Sequence, residues 1–321
     1  MDWTLVDIER YIRPYEGLPR VLMGYVTSRG CPHQCGFCYN HFFNDRRWQG
    51  RSTEKVVEEI NALARDHRLD GILFYDDNFT ANKKRAVEIL KNISIKGTHI
   101  ETRVDYINEA FLQQLQDVGV HTIFLGIECG SNRLMELISK GFTADDTYRA
   151  LELVKQYPFA LKLSLIVGMP TETFEEYRQT LRLVVWCFDN LPKVGFSIGF
   201  YLPYPGTPLF DQCVEMGFER PRDFAGWEAL DRWGNQDTPI PWIDGAFVTS
   251  GEVKKLRQLL EWMRRYRNGT GLRSRIAYRV LRYRFLSSGA LHLRMLGPLE
   301  RGAGMAARAY RAMSARATGA R

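Results

Sequence analysis

The stretch VLMGYVTSRGCPHQCGFCYN, residues 21–40, joins a strand-like segment to a loop that holds three of the chain's six cysteines. Its first eight residues are short, largely apolar and β-branched, a pattern typical of a buried strand, and Gly30 follows as a turn signal. The thiols of Cys31, Cys35 and Cys38 have C-x3-C-x2-C spacing. The stretch therefore predicts a strand that ends at a site containing three thiols.

Strand and helix patterns alternate after this loop. A Ser52–Thr53 cap signal opens the first helix pattern, and six βα-type units follow one another within about 180 residues. Alternation at this length predicts a parallel sheet. No G-x-G-x-x-G follows the first strand, and polar residues gather at strand ends, which favours a partial barrel over a dinucleotide-binding sheet. We predict an α/β fold, a partial (βα)6 TIM-type barrel with a mostly helical C-terminal extension, and the cysteine loop at its mouth.

Composition shifts divide the chain into four predicted segments. These are a linker-like N-terminal segment, the barrel, an aromatic-rich cap and an Arg-rich helical tail, over residues 1–20, 21–212, 213–263 and 264–321. The cap contains Trp227, Trp233, Trp242 and Trp262. We expect these rings either to exclude water from the open side of the barrel or to serve ordinary packing.

The composition excludes several other classes of protein. Hydrophobic residues make up 45% and charged residues 25% of the 321 residues, which are ordinary globular values. The first twenty residues do not read as a secretory signal, and no apolar run is long enough to span a membrane. We therefore expect a cytoplasmic protein, in which clustered cysteines are metal ligands or catalysts more often than disulfides.

The net charge of +7 is unevenly distributed along the chain. From Arg264 onward there are fourteen arginines and one acid, Glu300, which gives +13 and leaves −6 for the first 263 residues. A basic tail of this kind suits a membrane surface, nucleic acid or an acidic partner. A solvated amphipathic helix with its arginines in water is the simpler interpretation.

Three clustered thiols are compatible with two kinds of metal site. Structural zinc takes four ligands, and Cys129, Cys187 and Cys213 are too isolated to supply a second pair, although His33 and His41 are near enough to complete a site. A 4Fe–4S cluster normally takes four thiolates, so three leave one iron open to another ligand.

The motif Cys31-Pro-His-Gln-Cys35-Gly-Phe37-Cys38, with Phe37 as its aromatic residue, resembles that of the radical S-adenosylmethionine (SAM) enzymes. The resemblance covers residues 20 to about 212. It implies a 4Fe–4S cluster on Cys31, Cys35 and Cys38, whose open iron chelates SAM. It also implies reductive cleavage of SAM to methionine and a 5′-deoxyadenosyl radical, which abstracts hydrogen from a substrate.

The same resemblance implies a set of SAM-binding residues at the strand ends. Asp76 and Asp77 match an acidic variant of the segment that meets the SAM ammonium, with Asn78 read equally well as a helix N-cap. Arg103 would pair with the SAM carboxylate and Glu128 would reach the ribose or amino acid, while Gly126 and Gly130 would permit close backbone approach. The remaining assignments place Ile166, Val167 and Leu202 against adenine, Thr171 and Glu172 at a helix start, Pro205 to Pro208 at the mouth, and Tyr201 and Tyr204 toward the substrate.

Within this family, the motifs look most like the branch of cobalamin-binding-domain radical SAM proteins and anaerobic porphyrin-ester cyclases. The cobalamin domain itself is missing from the sequence, although residues 1–20 resemble the linker that follows it. The D-x-H-x-x-G cobalamin signature is also absent. Cobalamin is therefore possible as a cofactor only if another chain supplies it; otherwise the adenosyl radical acts directly.

Two hypotheses of different class follow from these features. The first is a single-cluster radical SAM enzyme that acts on a small molecule in specialised or cofactor biosynthesis, with flavodoxin or ferredoxin as the reductant. The second is a zinc-stabilised module whose Arg-rich tail binds nucleic acid, although base-reading motifs are absent. The sequence does not indicate the substrate, or whether the outcome is methylation, cyclisation, decarboxylation, epimerisation or dehydrogenation. Cys129 is expected to be a small buried residue rather than a metal ligand.

Overall fold

A computed structural model describes residues 3–233, 241–243 and 250–287 of the chain. Over these residues, no helix is both long enough and apolar enough to cross a membrane. The last 34 residues of the predicted Arg-rich tail, 288–321, lie outside the described part, as does the side chain of Trp233.

Seven strands form one curled sheet in which six consecutive strands are parallel. Each parallel strand lies beside its predecessor in the chain, so the sheet is wound in one direction and confirms the predicted partial barrel. A separate two-stranded ladder, β3 with β4, flanks the cysteine loop. The strands are β1 (Ile12–Tyr15), β2 (Leu18–Tyr25), β3 (Ser28–Arg29), β4 (Gln49–Gly50), β5 (Gly71–Phe74), β6 (Gly97–Thr102), β7 (Val120–Glu128), β8 (Ala160–Val167) and β9 (Val194–Phe200).

The seventh strand of the main sheet, β1, was not predicted. It pairs antiparallel with β2 at the edge of the sheet. The linker-like segment over residues 1–20 thus contributes one whole strand and the start of another. The strand was missed because Pro14 interrupts the pattern of strand-forming residues. An edge strand tolerates proline because one row of its backbone groups has no partner strand.

The described residues also form eleven α-helices, and the longer helices between residues 53 and 190 each bury apolar residues. They are α1 (Asn40–Phe43), α2 (Thr53–His67), α3 (Lys83–Asn92), α4 (Glu109–Asp117), α5 (Asn132–Leu137), α6 (Ala144–Val154), α7 (Phe174–Asn190), α8 (Pro208–Glu215), α9 (Phe224–Trp233), α10 (Ser250–Asn268) and α11 (Leu272–Ser287). The mostly helical C-terminal extension is therefore confirmed. α8 and α10 each run across one of the predicted segment boundaries, and that division stays a prediction.

Side-chain caps fix where these helices begin. Ser52 caps α2 as predicted, by accepting the amide hydrogen of Lys55. The start of α7 lies two residues later than predicted, at Thr173, whose reciprocal bonds with Glu176 form a capping box. Asn78 is not a cap, since Asn82 accepts the amide hydrogen of Arg85 at the start of α3.

Candidate active site at the carboxyl edge of the sheet

The cysteine loop follows β2 and β3 and is tied to two distant parts of the chain. The Gly36 amide donates to the Ile138 carbonyl at 2.8 Å, and the Gly36 carbonyl accepts from the Leu209 amide at 3.2 Å. Gly30 starts the loop with φ of +82°, and a Cβ there would overlap the Arg47 carbonyl. Only glycine fits both conditions, so the loop has one defined path along the sheet edge.

A cavity of about 200 Å³ opens beside this loop. The three thiols and residues at the ends of β6, β7 and β8 line this cavity. The lining residues are Cys31, Cys35, Phe37, Cys38, Asn40, Asp77, Asn78, Glu101, Thr102, Arg103, Phe124, Gly126, Glu128, Lys140, Ser164 and Ile166. The position is the one expected for the active site of a parallel barrel.

Burial raises the pKa of the Cys31 thiol and raises that of Cys38 to about 11. The charge of the Arg103 guanidinium opposes part of the rise in the pKa of Cys31, and its Nη1 lies 3.5 Å from the Cys35 sulfur. The Asn78 amide nitrogen lies 3.7 Å from the Cys31 sulfur. A protonated thiol loses its proton when it binds a metal, so metal binding here would release protons. The Arg103 guanidinium and the Asn78 amide stabilise the negative charge of the resulting thiolates.

Asp76 and Asp77 lie in different environments although they are neighbours. Asp76 is buried, accepts hydrogen bonds from the Thr27 amide and hydroxyl at 2.7 and 2.6 Å and from the Ser28 hydroxyl, and does not line the cavity. Asp77 does line it and accepts from the Gly30 amide at 2.6 Å. Of the two carboxylates proposed from the sequence, the structure brings only Asp77 to the cavity.

Arg103 lines the cavity and is held in place by three partners. Its Nε lies 2.9 Å from the Asp105 carboxylate, and its Nη2 donates to the Lys140 carbonyl. With Nη1 at Cys35, the guanidinium links the cysteine loop to the segment after α5. It is a structural tie as well as a cation at the cavity wall.

Glu128 forms a buried ion pair with Lys140, a residue that sequence reasoning missed. Glu128 ends β7 with φ of +49°, and it lines the cavity. Gly126 makes room for the pair, because a Cβ there would overlap the Glu128 carboxylate and lie 3.0 Å from the Lys140 ammonium. Lys140 lies twelve residues after Glu128 in the chain, and only the folded structure shows that its ammonium pairs with that carboxylate.

Glu101 is the second residue that was missed. It sits two positions before Arg103 on β6 and lines the cavity. Burial raises its pKa to about 7, the carboxylates of Glu128, Asp77 and Asp76 add to the effect, and the Lys140 ammonium opposes it. A carboxyl group of this kind changes charge near neutral pH and accepts a cation readily.

This raised pKa predicts that stability falls as pH rises. The folded chain holds the Glu101 proton more tightly than the unfolded chain, so the stabilisation is complete below the ordinary pKa of 4.5 and is lost by pH values above about 7. Glu101→Gln should match the parent near pH 5 and exceed it by about 2 kcal/mol near pH 9. Urea unfolding of the metal-free protein at both pH values measures the difference. The exposed Glu88→Gln on α3 is the control, and equal pH slopes for Glu101→Gln and the parent would contradict the prediction.

A family model described as the Radical SAM superfamily matches residues 25–184. The match starts at the end of β2, includes the cysteine loop and ends within α7. The chain belongs to the radical SAM superfamily. The cofactors of this superfamily are a 4Fe–4S cluster and SAM.

Two relatives resemble the chain over about two thirds of its length. An uncharacterized methyltransferase of Pyrococcus horikoshii is 36% identical over 216 residues, which are 66% of this chain and 45% of the relative. The anaerobic magnesium-protoporphyrin IX monomethyl ester cyclase of Cereibacter sphaeroides is 28% identical over 66% of this chain and 35% of its own. The chain thus spans less than half the length of these two relatives.

A solved structure shares the fold. The radical SAM methyltransferase TsrM from Kitasatospora setae, solved with cobalamin and a 4Fe–4S cluster bound, superposes with a TM-score of 0.52 at 20% identity. The superposition covers 63% of this chain and 43% of that one. At this level of identity the likeness concerns the fold alone.

The residues of the cysteine loop fit the cluster of this superfamily. Three thiols of one loop face one cavity, and a guanidinium and an amide already approach two of the sulfurs. Within the described residues, no three side chains of His, Cys, Asp or Glu are arranged around one point as a single metal ion would need. The side chain of His41, one of the two histidines considered for a zinc site, lies outside the described residues.

Of the remaining residues predicted to contact SAM, one lines the cavity and the others do not. Ile166 lines the cavity, whereas the next side chain on β8, Val167, points into the core, since side chains alternate along a strand. Leu202 is half-buried just after β9 but does not line the cavity. Tyr201 is buried edge-on against Trp242, and Tyr204 is exposed, so the cavity wall contains neither tyrosine.

Three other residues of the predicted motifs do not line the cavity. Gly130 lies against the α7 backbone, and a Cβ there would come 2.6 Å from the Gln179 carbonyl carbon. Cys129 is fully buried, and burial raises the pKa of its thiol to about 12. Glu172 is buried beneath the turn before α7, where its carboxylate accepts from the Gly168 amide at 2.5 Å.

Proposed function

We propose that this chain binds a 4Fe–4S cluster through Cys31, Cys35 and Cys38 and uses it to cleave SAM reductively, so that the resulting radical abstracts hydrogen from a small molecule. The observation that carries the proposal is the shared cavity of about 200 Å³, which is lined by three thiols, by the carboxylates of Asp77, Glu101 and Glu128, and by the cations of Arg103 and Lys140. When bound, the cluster supplies one electron and an open iron for SAM. The residues of this chain hold, orient and enclose the reactants.

Charge divides the cavity wall into complementary parts. Asp77 and Glu101 supply acceptors for the SAM ammonium, and ionised Glu101 gains a partner when a cation binds beside it. Arg103 and Lys140 supply donors for the SAM carboxylate. Ile166 and Phe124 offer an apolar surface for the adenine ring. We propose Asp77 in place of Asp76 as the ammonium ligand, because Asp77 lines the cavity and Asp76 does not.

Closure of the site is proposed to depend on the aromatic cap. The Trp242 indole donates to the Gly168 carbonyl at 2.9 Å, and the Trp242 carbonyl accepts from the Thr171 amide at 3.1 Å. Trp227 stacks on Phe210 with a ring separation of 6.3 Å. The two Trp242 contacts hold its ring beside the end of β8. Exclusion of water protects a radical from side reactions.

The test is anaerobic reconstitution with iron and sulfide, followed by dithionite and SAM. We expect iron near four atoms per chain, in line with the 4Fe–4S stoichiometry, and formation of 5′-deoxyadenosine. A reconstituted chain that carries iron and binds SAM without forming deoxyadenosine would contradict the proposal.

Cobalamin-assisted methylation is the second candidate. It is favoured by the Pyrococcus horikoshii relative, a methyltransferase by name, and by the presence of cobalamin-dependent relatives. In this case another chain or segment would supply cobalamin. The same assay with and without added cobalamin separates the candidates, because methyl transfer forms S-adenosylhomocysteine or a methylated product only when cobalamin is present.

Flavodoxin or ferredoxin is the proposed reductant. Residues 29–51, which contain the cysteine loop, carry four arginines and one aspartate. Three of the arginines, Arg29, Arg46 and Arg47, are exposed. A positive surface beside the cluster ligands suits an acidic electron carrier.

A further inference from the structure

The helix α11 has two apolar faces, of which one faces solvent. Leu281 and Phe285 are buried against the body of the protein, and the Tyr278 hydroxyl donates to the Asp189 carboxylate at 2.8 Å. A separate set of large apolar side chains is exposed: Leu272 by 69%, Ile276 by 54%, Val280 by 46% and Tyr283 by 71%. Packing within the described part of the chain does not bury this second set of side chains.

The exposed side chains form one continuous stripe. Their spacing of four, four and three residues keeps them within roughly 80° of the helix circumference, since each residue advances about 100°. Arg273 lies at one border of the stripe, and Arg275, Arg279 and Arg282 lie at the other border. All four arginines are exposed, although Arg282 also pairs with Asp189 at 2.8 Å.

Charge determines which partner suits this stripe. The helix α11 contains five arginines and no acid in its sixteen residues, and residues 288–321 add six arginines and one acid. An apolar centre with cationic borders is the pattern of a helix that lies in a bilayer interface, where the long arginine stems reach up to the phosphates. A nucleic acid would engage the arginines but leave the stripe in water.

We propose that α11 binds the surface of an anionic lipid bilayer, with Leu272, Ile276, Val280 and Tyr283 among the acyl chains and the bordering arginines at lipid phosphates. Tyr283 suits the interface because its ring is apolar and its hydroxyl is polar. The contact would hold the enzyme at a membrane without spanning it. This inference does not depend on the proposed reaction.

Sedimentation of the full chain with sucrose-loaded vesicles tests the proposal. We expect binding to vesicles of phosphatidylglycerol and phosphatidylcholine, and weak binding to phosphatidylcholine alone. Ile276→Glu should lower the partition coefficient by about tenfold or more. It removes an apolar side chain that the bilayer would bury, and it adds a negative charge that the anionic lipids repel. Arg279→Gln should lower it by about fivefold in low salt and by little in high salt.

The matched control is Val214→Glu, which places the same charge at a 42% exposed apolar residue on α8, far along the chain from the stripe. It should bind vesicles like the parent. Absence of vesicle binding by the parent, or equal binding by parent and Ile276→Glu, would overturn the proposal. A dimer that Ile276→Glu abolishes without any vesicle binding would assign the stripe to a second copy. Oligonucleotide binding without vesicle binding would assign the arginines to nucleic acid.

Discussion

Cys35→Ala is expected to abolish both assembly of the 4Fe–4S cluster and cleavage of SAM. Cys35 is the middle ligand of the three, and two thiolates of one loop do not hold a cluster that needs at least three. The change also removes the sulfur that lies 3.5 Å from the Arg103 guanidinium. After anaerobic reconstitution, we expect 5′-deoxyadenosine to fall by at least about a hundredfold, since even loss of a residue that only supports a metal ligand costs 10- to 100-fold.

Cys129→Ala is the matched control for this experiment. Cys129 is also a buried cysteine at the carboxyl edge of the sheet, but it lies after β7 and its sulfur approaches the Ser131 carbonyl at 3.6 Å. Its iron content and deoxyadenosine formation should equal those of the parent. Retention of deoxyadenosine formation by Cys35→Ala would refute the ligand assignment, and loss of iron by Cys129→Ala would identify a fourth thiol ligand.

Lys140→Met is expected to lower the free energy of unfolding by about 3–5 kcal/mol, the usual cost of removing one partner from a buried ion pair. The Glu128 carboxylate would then lie buried beside Glu101 without its cation. The ammonium also lies 5.6 Å from the Phe37 ring and 5.7 Å from the Phe142 ring, so these contacts are lost as well. Urea unfolding of the metal-free chain near pH 8 measures the change.

Two further variants decide whether the loss comes from the pair itself. Lys155→Met removes a lysine from an exposed pair with Glu152, at 3.3 Å on α6, and should cost no more than about 1 kcal/mol. Adding Glu128→Gln to Lys140→Met should restore at least about 1.5 kcal/mol, because it removes the unpaired buried charge. A double variant as unstable as Lys140→Met would show that packing, rather than charge, sets the cost.

The cysteine loop and the sheet could both be predicted because local patterns determine them. Strand and helix periodicity over residues 21 to 200 predicted six parallel strands, and the structure has them in the predicted order. The three-thiol loop follows the first of these strands, as its position in the sequence requires. The antiparallel β1 was missed because a four-residue edge strand with a proline carries no alternating pattern.

The cavity wall was predicted less completely, because its members come from strands far apart in the chain. Asp76 and Asp77 are adjacent in sequence, and only the fold distinguishes them. Asp76 accepts hydrogen bonds from Thr27 and Ser28, whereas Asp77 lines the cavity. Ile166 and Val167 likewise differ only by their position on β8, where Ile166 lines the cavity and Val167 is buried in the core.

The sequence by itself determined the ligand loop, the order of the parallel strands and the basic charge of the C-terminal region, since each is written in neighbouring residues. Only the tertiary structure decided that Lys140 neutralises Glu128, that Glu101 faces both, and that α11 presents a second apolar face to solvent. The physical reason is that desolvation and charge pairing depend on distances across the sheet, which local periodicity does not contain.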